Sequence, residues 1–132
     1  MRIKIPYVIA FLLTLALAIC FFMFVSCPIG TADILKLAEK EGVPVYVVSN
    51  EDLEPIAKQH GHETAFGVYF EASKEIYIDQ DAIDLLYILA HEMGHHYAIS
   101  YEGDHSEERA DEIAYELIFT GQYHRIDQQQ YS

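Results

Sequence analysis

The 132-residue chain is poor in cysteine and in cations, and has only one long apolar run. Its two cysteines, Cys20 and Cys27, lie in or beside that run at the N-terminus, so the sequence beyond residue 27 carries neither a disulfide nor a thiolate metal site. Chemistry there is left to His and to carboxylates. Six of the eight Lys and Arg follow the run, together with all 21 Asp and Glu, which gives that part a formal charge of −15. Such a surface is repelled by phosphates instead of releasing their counterions, which argues against nucleic acid as a partner. It favours solubility and basic substrates or partners. Internal repeats and low-complexity tracts are absent.

The apolar run, Ile5 through Val25, is 21 residues without a charge, preceded by Arg2 and Lys4. At 1.5 Å per residue it would span roughly 30 Å, the thickness of a bilayer core. It is longer than the apolar region of an ordinary signal peptide, about 7–15 residues, and lacks a clear small-x-small cleavage site. Residues 1–27 are therefore expected to form a retained anchor, an N-terminal transmembrane helix. Phe24-Val25-Ser26-Cys27 supports a lipoprotein signal acylated at Cys27 as the second reading, and a cleaved secretion signal is the third. Arg2 and Lys4, with no further cation before Lys36, predict a single-pass membrane location with the N-terminus inside and the domain outside.

The remainder of the chain is long enough for one small domain, expected over 28–122, with a polar C-terminal tail over 123–132. Asp33 to Glu41 reads as a helix closed by Gly42, Pro44 to Val48 as a buried strand, and Ser49-Asn50 as the cap of a helix ending near His60. Thr64 to Phe70 and Glu75 to Asp79 are β-rich runs joined as a hairpin. Asp81 and Asp104 each precede a helical pattern. The order predicts an α+β fold, with a small antiparallel-containing sheet covered on one side by the last two helices.

The first of those helices contains His91-Glu92-Met93-Gly94-His95, an H-E-x-x-H sequence introduced by Leu85, Leu86, Ile88 and Leu89. Residues four apart on a helix share a face, so two imidazoles can reach one cation while Glu92 stands beside it. That is the geometry of a zinc hydrolase, with His91 and His95 as ligands and Glu92 handling the proton of a water. Gly94 lets another segment approach closely, at about 1 kcal/mol in helix propensity. Twelve residues after His95, Glu107 is the expected third ligand. Asp111, one turn on, is placed to accept a hydrogen bond from a ligand imidazole and fix its tautomer. Glu108 with Glu112 is the competing register. Glu107 is preferred because Ala110 and Ala114 then adjoin the ligand face, although acidic residues in a first turn also stabilise the helix dipole.

The run Ile88 to His96, followed by Glu107 to Ile118, resembles the ImmA/IrrE-type zinc metallopeptidases. The resemblance covers about residues 31–120, its specific part 88–118. It implies a minimal zincin holding Zn2+ through His91, His95 and Glu107, with Glu92 as catalytic base. It also implies limited cleavage of a regulatory protein, typically a repressor. An anchor and the lack of recognition domains depart from the family pattern, so fold and metal transfer more safely than substrate.

The expected activity is hydrolysis of peptide bonds in a protein or peptide substrate, laid along the Phe66–Phe70 edge of the hairpin. Tyr97, Tyr101, His96, His105, Tyr115 and His124 are unranked candidates for stabilising the oxyanion. His60 and His62, flanking Gly61 in a turn, read as solvated. The alternative is a non-catalytic, membrane-tethered, zinc-stabilised interaction module, against which the base at Glu92 argues.

Overall fold

A computed structural model describes residues 5–25, 29–59 and 66–126. His60 and His62, Cys27 and the end of the tail from residue 127 lie outside the described residues. In chain order the elements are α1 (Ile5–Val25), α2 (Thr31–Lys40), β1 (Val45–Val48), α3 (Asn50–Gln59), β2 (Gly67–Phe70), β3 (Glu75–Asp79), α4 (Leu85–Tyr97), a π-helical turn (Ala98–Glu102) and α5 (Glu107–Thr120).

The uncharged run does form a helix, α1. Among the described residues no helix is long and apolar enough to cross a membrane. The expectations of a transmembrane helix and of a single-pass membrane location are corrected accordingly.

The sheet is three-stranded and mixed, in the order β1-β3-β2. β3 pairs antiparallel with β2, the expected hairpin, with Val68 opposite Tyr77. It pairs parallel with β1, with Tyr46 opposite Tyr77. A parallel pair cannot be joined by a tight turn, and α3 lies within the crossover from β1 to the hairpin. The inner strand β3 carries Ile76 and Ile78 into a core shared with Ile34 and Ala38 of α2, Leu89 and Met93 of α4, and Ile113 and Leu117 of α5. On the other face Val68 and Phe70 of β2 pack with Leu53 and Ala57 of α3.

Three expectations need correction. The sheet is covered on both faces, because strand alternation leaves a second apolar row, Val68 and Phe70, that α3 buries. α4 lies on β2 and β3, and α5 packs chiefly on α4. β1 is an edge strand instead of a buried one, with Tyr46 43 % and Val47 62 % exposed. The helix starts also shift. α4 begins at Leu85, where Asp84 accepts from the Tyr87 N–H. α5 begins at Glu107, where the Ser106 hydroxyl accepts from the Arg109 N–H. Asp104 instead accepts from the Ser106 N–H, shaping the turn ahead of the cap. Gly42 closes α2 as expected, with φ at +68°.

Asp79, buried at the end of β3, ties the sheet to α3 by accepting from the Asn50 side-chain amide at 2.9 Å and from the Asp81 N–H at 2.9 Å. Glu102 in the π-helical turn accepts from Arg109 Nε and Nη2, each at 2.8 Å, from the Tyr123 hydroxyl at 2.8 Å and from the Ile126 N–H at 3.4 Å. That one carboxylate fixes the α4–α5 connection and the segment after α5 together.

Candidate metal centre

Leu89, Met93 and Tyr97 face the core from α4, which turns His91, Glu92 and His95 toward β2 and α5. Gly94 sets how near α5 comes. A Cβ there would stand 2.3 Å from the Ala110 carbonyl oxygen and 3.0 Å from its carbon, so the two backbones are in contact. Glu107 lies one turn before Ala110 and is thereby brought over the histidines. His91 Nε2 lies 3.1 Å from Glu107 Oε2 and 3.1 Å from His95 Nε2. His95 Nε2 is 3.4 Å from the same Glu107 oxygen.

These three residues offer ligand atoms all within 4.8 Å of one another, and can hold a metal ion. Among the described residues no other group of three or more His, Cys, Asp or Glu meets that condition, and Glu108 is not part of it. The chemistry of the set supports the fit. Asp111 Oδ1 is 2.7 Å from His91 Nδ1 and also accepts from the Tyr87 hydroxyl at 2.5 Å. The Tyr87 hydrogen bond, then the one from His91, hold the Asp111 carboxyl below its ordinary value against the opposing effect of burial. An ionised Asp111 requires the proton of a neutral His91 on Nδ1, leaving Nε2 as a bare lone pair aimed at the other two donors. Converging lone pairs of this kind are stabilised by a shared cation. Glu107 is the most exposed member, its side chain 68 % exposed against 18 % and 14 % for His91 and His95.

Glu92 lies under the edge strand and is 7 % exposed. Its carboxyl is pushed up to about 7, first by burial and further by the charge of Glu107, while His91 and the Tyr69 backbone N–H act to lower it. Gly67 permits this approach. A Cβ at that position would meet Ile88 Cγ2 at 2.7 Å and Glu92 Cγ and Oε1 at 3.0 Å. A cleft of about 640 Å³ opens over His91, Glu92, His95 and Glu107, walled by β2 and by His105 ahead of α5. β2 is an edge strand, as expected.

Of the six candidates for oxyanion stabilisation only His105 lines the cleft. Tyr97 is buried and stacked on Tyr123, and Tyr101 donates to Glu41 at 2.7 Å. His96 is buried, with Nε2 3.3 Å from Glu41 and Nδ1 3.1 Å from the Tyr69 hydroxyl. Tyr115 borders a separate groove with Phe119, and His124 pairs with Glu116.

Sequence reasoning missed Tyr87, Gly67 and Tyr69. Tyr87 stands one turn before His91 on the same helix face, a signal visible in the spacing. The other two depend on how the hairpin lands on α4, which local pattern does not encode. Comparison of the chain with protein-family models, with curated proteins and with solved structures finds no match.

Proposed function

We propose that the chain is a zinc-dependent peptidase of the ImmA/IrrE-like kind, with His91, His95 and Glu107 holding the ion and Glu92 as the base. The observation that carries this reading is Glu92, a carboxyl buried beside the three-donor group at the floor of the cleft, with its acidity moved to about 7. A structural ion needs no such neighbour. Two imidazoles and one carboxylate suit zinc and leave it a position for substrate or water.

When bound, the ion supplies Lewis acidity, polarising a peptide carbonyl and making a water nucleophilic near neutral pH. Glu92 takes a proton from the water as its oxygen adds to the carbonyl carbon. As the C–N bond breaks, Glu92 returns that proton to the leaving nitrogen. The edge of β2 holds the substrate extended by main-chain hydrogen bonds. His105 donates to the carbonyl oxygen as charge develops on it.

The test is metal content and cleavage of unfolded peptides by the full chain, beside Glu92→Gln, Glu107→Ala and Glu108→Ala. One zinc per chain is expected in the parent, the Gln variant and Glu108→Ala, with cleavage lost only in the Gln variant among these three. Glu107→Ala is expected to lose both metal and cleavage. Absence of metal from the parent would overturn the site, and equal cleavage by the Gln variant would overturn the mechanism. Metal without cleavage in the parent would make this a metal-stabilised interaction module.

A further inference from the structure

The cleft has carboxylates at its floor and mouth, apolar walls between them, and no Lys or Arg among its described lining residues. Glu92 and Glu107 belong to the reacting centre. Glu71 does not. It stands just past the end of β2, 60 % exposed, and its Oε2 lies 3.1 Å from His105 Nε2 across the mouth. It is close enough to Tyr69 that its charge helps raise the Tyr69 hydroxyl, after burial. Tyr69 and Ile99 also line the cleft. An apolar wall ending in a carboxylate fits a long cationic side chain, whose methylene stem packs while its head group pairs.

We infer that Glu71 selects a Lys or Arg side chain in the substrate, so that the site acts on basic peptide segments. The inference rests on the peptidase reading for its substrate class. The Glu71–His105 contact in the free protein is then exchanged for one between Glu71 and the substrate's cation. His105 Nε2 is released by the same exchange toward the substrate carbonyl. Because Glu71 is largely exposed, its pairing is screened, and the selectivity is modest and salt-dependent.

The experiment measures binding of three fluorescent peptides, identical except for a central Lys, norleucine or Glu, to the zinc-loaded full chain carrying Glu92→Gln. Norleucine keeps the apolar stem and removes the charge. Low and high salt are compared. The expected order is Lys over norleucine over Glu. Adding Glu71→Gln is expected to reduce the Lys-over-norleucine ratio about three- to fivefold at low salt and to leave norleucine binding unchanged. Glu51→Gln, an equal change of charge on α3, controls for the net charge of −13 and is expected to leave the ratio intact. A ratio unaffected by Glu71→Gln, or affected equally by Glu51→Gln, would overturn the inference. Binding is read separately from cleavage, so loss of the charge preference with cleavage by the parent refutes only Glu71. A parent that binds with the expected preference and cleaves nothing refutes the peptidase reading.

Discussion

Gly94→Ala sets two opposing effects against each other on one atom. In an exposed helix the change would stabilise by about 1 kcal/mol, because Gly is the poorer helix former. Here the added Cβ would lie 2.3 Å from the Ala110 carbonyl oxygen, so α5 must retreat by about 1 Å to restore an ordinary contact. α5 contributes Ile113 and Leu117 to the core it shares with Leu89 and Met93 of α4. A gap of that size forfeits a quarter to a half of each dispersion contact on that seam, and overpacking of this kind typically costs about 1–3 kcal/mol. The clash offsets or outweighs the gain in propensity, and a net loss of up to about 2 kcal/mol is expected. Retreat of α5 also carries Glu107 away from His91 and His95, now 3.1 Å and 3.4 Å distant, so metal affinity should fall at least tenfold. Urea unfolding of the metal-free protein reads the first effect as a lower midpoint at unchanged slope, and competition with a chromophoric chelator reads the second. A variant as stable as the parent with undiminished zinc affinity would show that the helices are not in backbone contact.

Acid stability should depend on Glu102. Hydrogen bonds from Arg109, then from Tyr123 and the Ile126 N–H, hold its carboxyl at about 2 against an ordinary 4.5. A value depressed in the folded state stabilises above the unfolded value and is lost as pH falls from about 4.5 to about 2, an effect of up to about 3 kcal/mol. Glu102→Gln should lower the urea midpoint at pH 7 and flatten its decline between pH 5 and 2.5, and an unchanged decline would refute the assignment. Tyr87→Phe removes one of the two donors to Asp111; it should weaken zinc binding by up to about tenfold and alter the Co2+ absorption spectrum, while costing less than about 1.5 kcal/mol in urea unfolding. Identical affinity and spectrum would leave Tyr87 with a packing role only.

How legible each feature is in the sequence depends on the range over which it is determined. Convergence of His91 and His95 needs only a helix, and an apolar run of Leu85 to Leu89 ensures one. Glu107 was legible at longer range because small residues leave a trace: Gly94 and Ala110 mark where two backbones meet, and the meeting point fixes the register of Glu107 against Glu108. Caps were less legible. Asp81, Asp84, Asp104 and Ser106 all suit a helix start, and the choice between them is made by the turns that precede each helix, where Asp79 and Asp104 are already committed as acceptors. Pairing of β1 with β3 and the cover of α3 on the second face were not legible, since both are crossover contacts with no local signature. His96 shows the limit most plainly. It adjoins His95 and reads as a candidate catalytic donor, yet its Nε2 faces Glu41, 55 positions away just past the end of α2, and it is buried there, outside the cleft lining. The same long-range placement of the hairpin, by setting Gly67 on Glu92, turns a common surface carboxylate into a group that titrates near neutrality. The proposed base therefore owes its identity to the local motif and its acidity to a strand that the motif does not specify.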